Sequence, residues 1–90
     1  MSIVVRIPSQ LRTLTQGREE VSVAGATVGE VLVNLDAGNP GLRDRLVDEK
    51  GVRRFINLYL NDDDVRFLDG LETAVKDTDT LTIVPAIAGG

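Results

Sequence analysis

The sequence closes on Ala88-Gly89-Gly90, and the α-carboxylate of Gly90 is the group in it best placed to react. Glycine has no Cβ, so a paired-glycine end passes through a channel that other residues would block. Residues 85–90, fully extended, span at most roughly 20 Å. That length carries a carboxylate deep into a partner's active site. Other chemistry is poorly represented. The chain has no cysteine and no histidine, which removes disulfides, thiolate catalysis, Cys/His zinc sites and imidazole bases. Ser2, Ser9 and Ser22 have no histidine to activate them. Asp62, Asp63 and Asp64, with Asp69 and Glu72 beyond, are the one candidate metal or acid–base cluster. Their spacing does not fit a calcium loop, and a solvated hairpin turn accounts for them. Gly25 and Gly29 fit no phosphate-binding pattern. The sequence therefore holds no self-sufficient active site and no bound cofactor or metal is expected, which throws weight onto Gly90.

Something must position that carboxylate. Ninety residues make one small domain, expected to comprise a folded body over residues 1–84 and a flexible tail over 85–90. The net charge of −4 argues against nucleic acid as a partner and suits steering toward a basic cleft. Arg6, Arg12, Arg18, Arg43, Arg45, Arg53, Arg54 and Arg66 are scattered and read as solvated surface. Neither a signal peptide nor a membrane-length apolar run is visible, so no membrane partner and a cytoplasmic location are expected.

Ile3 to Ile7 alternates as a strand that Pro8 ends, and Glu20 to Val23 alternates again as its hairpin partner, across a loop anchored by Leu11 and Leu14. Thr27-Val28-Gly29-Glu30 is a capping box. Behind it Val28, Val31, Leu32 and Leu35 form one helical stripe, with Gly38 suited to the C′ position and Pro40 preventing continuation. A second short helix holds Leu42, Leu46 and Val47. Phe55 to Leu60 is a rich strand, Asn61 to Asp64 a turn, Val65 to Phe67 a short return strand and Thr80 to Val84 the last strand. The order β-β-α-β-β-β predicts an α+β domain, a mixed four- to five-stranded sheet on one main helix. One helix leaves the other sheet face relatively exposed. Ile56, Leu58 and Leu60 are assigned to the helix side. Phe55 and Tyr59 fall on the outer face with Asn57, where they are candidates for partner contact.

Together, the β-β-α-β-β-β order, the turn at Asn61-Asp62 and the end Val84-Pro85-Ala86-Ile87-Ala88-Gly89-Gly90 resemble the ubiquitin-like β-grasp sulfur carriers. This group includes the small subunit of molybdopterin synthase, the thiamine sulfur carrier and a carrier of a cysteine-biosynthesis pathway. The stretch Arg54 to Phe67 and the Pro-Ala-x-Ala-Gly-Gly end look most like the last of these.

The resemblance implies a ubiquitin-like β-grasp fold and a carrier that is not itself an enzyme. An E1-like adenylating enzyme would spend ATP to join AMP to Gly90. Sulfur would then displace AMP to leave a thiocarboxylate, with Ala88, Gly89 and Gly90 threaded into the partner. In the cysteine pathway that sulfur would attack an aminoacrylate on a pyridoxal-phosphate synthase, and a metallopeptidase would release the cysteine. ATP and pyridoxal phosphate thus belong to partners. Three other readings stand beside this one: the molybdopterin-synthase small subunit, a ubiquitin-like protein modifier, and a plain interaction domain using Phe55 and Tyr59.

Overall fold

The computed structural model describes residues 2–85. Strand β1 (Ser2–Arg6) and strand β2 (Glu20–Ala24) form the first hairpin, and helix α1 (Val28–Gly38) follows. A short helix α2 (Leu42–Leu46) leads into a two-residue strand β3 (Val47–Asp48), which pairs with β4 (Gly51–Val52). Then come β5 (Ile56–Leu60), β6 (Asp63–Asp64) and β7 (Thr80–Pro85). The main sheet has five strands in the order β2-β1-β7-β5-β6. β7 lies parallel to β1 and antiparallel to β5, so the sheet is mixed. The last strand in sequence thus occupies the middle of the sheet.

One face of this sheet is dry. Ile3 and Val5 of β1, Ile56, Leu58 and Leu60 of β5, and Leu81 and Ile83 of β7 are all buried. They pack with Val28, Val31, Leu32 and Leu35, the stripe that α1 turns toward them. The period-2 and period-3.6 patterns therefore meet in one core, as read from the sequence.

Local chemistry explains the ends of the elements. The Glu30 amide donates to the Thr27 hydroxyl at 3.2 Å, as the capping box requires. The Glu30 carboxylate reaches one residue further back than expected and accepts from the Ala26 amide at 3.2 Å. Gly38 is the last helical residue and Asn39 is the cap, its amide donating to Leu35 and Asp36. At the β5–β6 turn Asn61 adopts φ of 59°, and its side chain binds both the Asp79 carboxylate and the Thr80 amide, each at 3.1 Å. The Asn61 amide bond, with help from the Lys76 backbone amide, holds the Asp79 carboxyl below its ordinary value.

Several elements differ from the sequence reading. Ser9–Thr15, expected as loop, is a 3₁₀ helix; Leu11 is buried there, and Leu14 packs partly against the core. Val47 leaves the second helix and opens β3. Val65–Phe67 is a 3₁₀ turn, and the return strand is confined to Asp63–Asp64. The reason is local: the Asp64 carboxylate accepts from the Arg66 amide at 2.9 Å, capping a turn where a ladder would otherwise continue. Pro85, read as tail, is the last residue of β7 and lies opposite Ile56. Ala86, Ile87, Ala88, Gly89 and Gly90 lie outside the described residues.

Candidate functional site

The outer sheet face carries a continuous row across all five strands. Register places Glu20 beside Arg6, Arg6 beside Thr82, Thr82 beside Tyr59, and Tyr59 beside Asp64. Arg6 and Glu20 form an exposed ion pair at 3.6 Å, of the kind worth well under about 1 kcal/mol. Flanking this row, Val4 lies opposite Ser22 and Thr80, and Val84 lies opposite Asn57. Val4 and Val84 are exposed apolar residues and Tyr59 is half-buried. The helix-free face is thus mixed in character, with apolar points among charged and hydroxyl groups.

Phe55 does not sit in β5 as the sequence suggested. It belongs to the turn before it, closed by the Ile56 amide donating to the Arg53 carbonyl at 2.9 Å. It is 61% exposed. Because Pro85 pairs with Ile56, Phe55 stands next to the last described residue of β7. An open groove of about 430 Å³, lined by residues that include Lys50, Arg53, Arg54 and Phe55, adjoins the same end. Phe55 therefore lies on a turn beside the end of β7, whereas Tyr59 lies within the sheet, opposite Thr82 and three ladder pairs from Pro85.

Arg66 organises this end. Its guanidinium donates to the Asn57 side-chain oxygen at 2.6 Å, to the Arg53 carbonyl at 3.0 Å and to the Ile56 carbonyl. It also lies 3.9 Å from the Asp64 carboxylate. Arg66 is exposed, as read from the sequence, yet its guanidinium is bound, and it gives Asn57 the partner its place requires. The signal was Asn57 within an apolar strand followed by a fork-shaped donor nine residues on. Replacing Arg66 with Met is expected to cost about 1–3 kcal/mol in chemical denaturation. Lys should not restore it, because an ammonium cannot fork to two carbonyls and an amide.

Gly25 and Gly29 are explained by packing. A Cβ on Gly25 would come within 2.8 Å of Val31, and one on Gly29 within 3.1 Å of the Leu71 carbonyl. Among the described residues no group of three or more His, Cys, Asp or Glu side chains could hold a metal ion. No helix among them is long and apolar enough to cross a membrane.

A mixed sheet on one main helix, with the last strand in sequence at its centre, is the architecture of the ubiquitin-like β-grasp sulfur carriers. The sequence matches the ThiS family over residues 5–90, and the chain belongs to that family. Among its relatives is the sulfur carrier protein CysO of Mycobacterium tuberculosis (strain ATCC 25618 / H37Rv), 46% identical over 93 residues that cover 100% of both chains. The fold matches a chain in the crystal structure of the Amycolatopsis orientalis BexX/CysO complex with a TM-score of 0.93 and 52% identity. That match covers 98% of this chain and 99% of the other. Small archaeal modifier protein 3 of Haloferax volcanii is 42% identical over 65 residues, covering 72% of this chain and 71% of that one. These relatives are named as carriers and a modifier.

Proposed function

We propose that the chain carries sulfur as a thiocarboxylate on Gly90 and delivers it for cysteine synthesis. The observation that supports this most is the ThiS-family match running through residue 90, together with the central place of β7, the strand that precedes Ala86–Gly90 in sequence. A carboxylate is a poor electrophile. Attack of its oxygen on the α-phosphorus of ATP, on an E1-like enzyme, forms the acyl-adenylate and expels pyrophosphate. Sulfide then adds to the acyl carbon and expels AMP, leaving the thiocarboxylate; a persulfide donor would first give an acyl disulfide, from which a second thiol, by attack on the donor's sulfur, releases the thiocarboxylate and forms a disulfide with the donor. The body contributes no catalytic group; it presents the arm and holds it near its acceptor, where proximity and orientation lower the barrier. Ala88, Gly89 and Gly90 are the threading residues, and Phe55 and Tyr59 belong to the face that meets the partner. The sulfur then adds to an electrophilic alkene made from an activated serine on a pyridoxal-phosphate synthase. An S-to-N acyl shift links cysteine to Gly90 through an amide, which a metallopeptidase hydrolyses.

Incubation with ATP, the adenylating enzyme and sulfide is expected to exchange one oxygen for sulfur, placed on Gly90 by fragmentation mass spectrometry. Adding the pyridoxal-phosphate synthase with activated serine should convert the loaded chain into a cysteine adduct. Sulfur at another residue sinks the proposal. Transfer to a pterin precursor in a molybdopterin-synthase large subunit, without cysteine formation, would move the chain to the alternative pathway. The similarity to the archaeal modifier favours one further reading, in which Gly90 forms isopeptide bonds to lysines; conjugates heavier than the free chain would reveal it.

A further inference from the structure

Phe67 is the most exposed large apolar side chain among the described residues, at 87%. It ends the 3₁₀ turn after β6, and its neighbour Leu68 is also exposed. Neither serves the core: from this turn only Val65 is buried. An aromatic ring withdrawn from water on binding covers about 150–250 Å², so this corner holds unused binding capacity. The backbone presenting it is stiff. The Leu68 amide donates to the Val65 carbonyl at 3.0 Å, the Asp64 carboxylate caps the turn, and Arg66 ties it to the start of β5. Little ordering is needed when a partner arrives, which favours affinity.

The rim selects the partner. Asp62 and Asp63 precede the ring, Asp69 and Glu72 follow it, and all four are exposed. Among the described residues none of the four has an ion-pair partner, since the pairs present are Arg6–Glu20, Arg12–Glu19 and Arg66–Asp64. An apolar knob with exposed carboxylates before and after it in the chain complements an apolar hollow bordered by lysine or arginine. We propose that Phe67 and Leu68 form a docking knob for the E1-like adenylating enzyme, separate from Phe55 on its turn and Tyr59 on the outer face. This choice rests on the Gly90 reading above: an enzyme that holds ATP and an acyl-adenylate must concentrate positive charge around its cleft, and the acidic rim is steered there. Arg66 fixes the knob to the start of β5, where Ile56 pairs with Pro85, so docking the knob also orients the strand that bears the arm.

The test is direct binding of the full chain to the cell's adenylating enzyme, by calorimetry without ATP, with pyrophosphate release measured separately. Phe67→Ser is expected to raise Kd by about tenfold or more while leaving the melting curve unchanged, because the ring is solvent-exposed. Replacing Asp62, Asp63 and Asp69 by Asn and Glu72 by Gln should weaken binding and flatten its dependence on salt. A Kd for Phe67→Ser within about twofold of the parent overturns the proposal, as does an absence of binding by the parent chain. If the parent binds and Phe67→Ser weakens it, yet no adenylate forms on Gly90, the docking knob stands and the Gly90 reading falls.

Discussion

Deleting Gly90 is expected to leave the fold intact and to cut sulfur loading by at least about a thousandfold. The two halves of this result have separate causes. Among the described residues the buried apolar core lies between Ile3 and Ile83, and the last ladder pair is Pro85 with Ile56, so the melting curve should superimpose on that of the full chain. The reacting carboxylate, however, retreats to Gly89, a withdrawal of about 3.5 Å along an extended arm. A misplacement of about 1 Å can cost a hundredfold in a reaction that depends on positioning. Intact-mass measurement of the loaded fraction, beside a thermal melt of the same sample, reads both halves. Retained loading would remove Gly90 from its proposed role, whereas lost loading with a broadened melt would point to damage in the body.

Gly25→Ala should produce the largest loss of stability, about 2–4 kcal/mol. Gly25 joins β2 to the start of α1 with φ of 157°. An added Cβ would stand 2.8 Å from both Val31 Cγ2 and the Val31 amide nitrogen. Neither neighbour can yield cheaply. Val31 is fully buried, and its amide donates to the Thr27 carbonyl at 3.0 Å in the first turn of the helix. In a domain of this size each kcal/mol moves the midpoint by about 4–8 °C, so a fall of roughly 8–32 °C in thermal unfolding is expected. Gly38→Ala is the matched control. It has no neighbour within 4 Å of the added carbon, lies in α1, and should be neutral or stabilising by up to about 1 kcal/mol. Equal melting temperatures for the two variants would refute the steric account.

What the sequence disclosed follows from which forces are local. The stripe Val28, Val31, Leu32 and Leu35 and the row Ile56, Leu58 and Leu60 were readable because one period decides their burial. Thr27 and Glu30 were readable because a cap is a contact within four residues. The β3–β4 hairpin was not, since two-residue strands offer no alternation; it is made by the Asp48 carboxylate accepting from the Lys50 amide at 2.9 Å and by Gly51 at φ of 117°. The Val65–Phe67 turn looked like a strand because Val, Arg and Phe alternate. A carboxylate cap at Asp64 and the long reach of Arg66 overruled the alternation. The central position of β7 depends on pairing Val5 with Leu81, a contact no local pattern encodes. At the proposed site, Gly89, Gly90, Phe55 and Tyr59 could be named from residue type, while Val4 and Val84 emerge only when distant strands are laid side by side.

The place of β7 has a mechanical meaning. A partner that draws the arm inward pulls along this strand. The load falls at once on the five residue pairs shared with β5 and the three shared with β1. Both ladders are then stressed in shear, with their hydrogen bonds sharing the force. An edge strand such as β6 would instead peel away one bond at a time. The body can therefore serve as a stop against which the arm is held taut, so tension at the reacting end would not readily unravel the domain that supplies it.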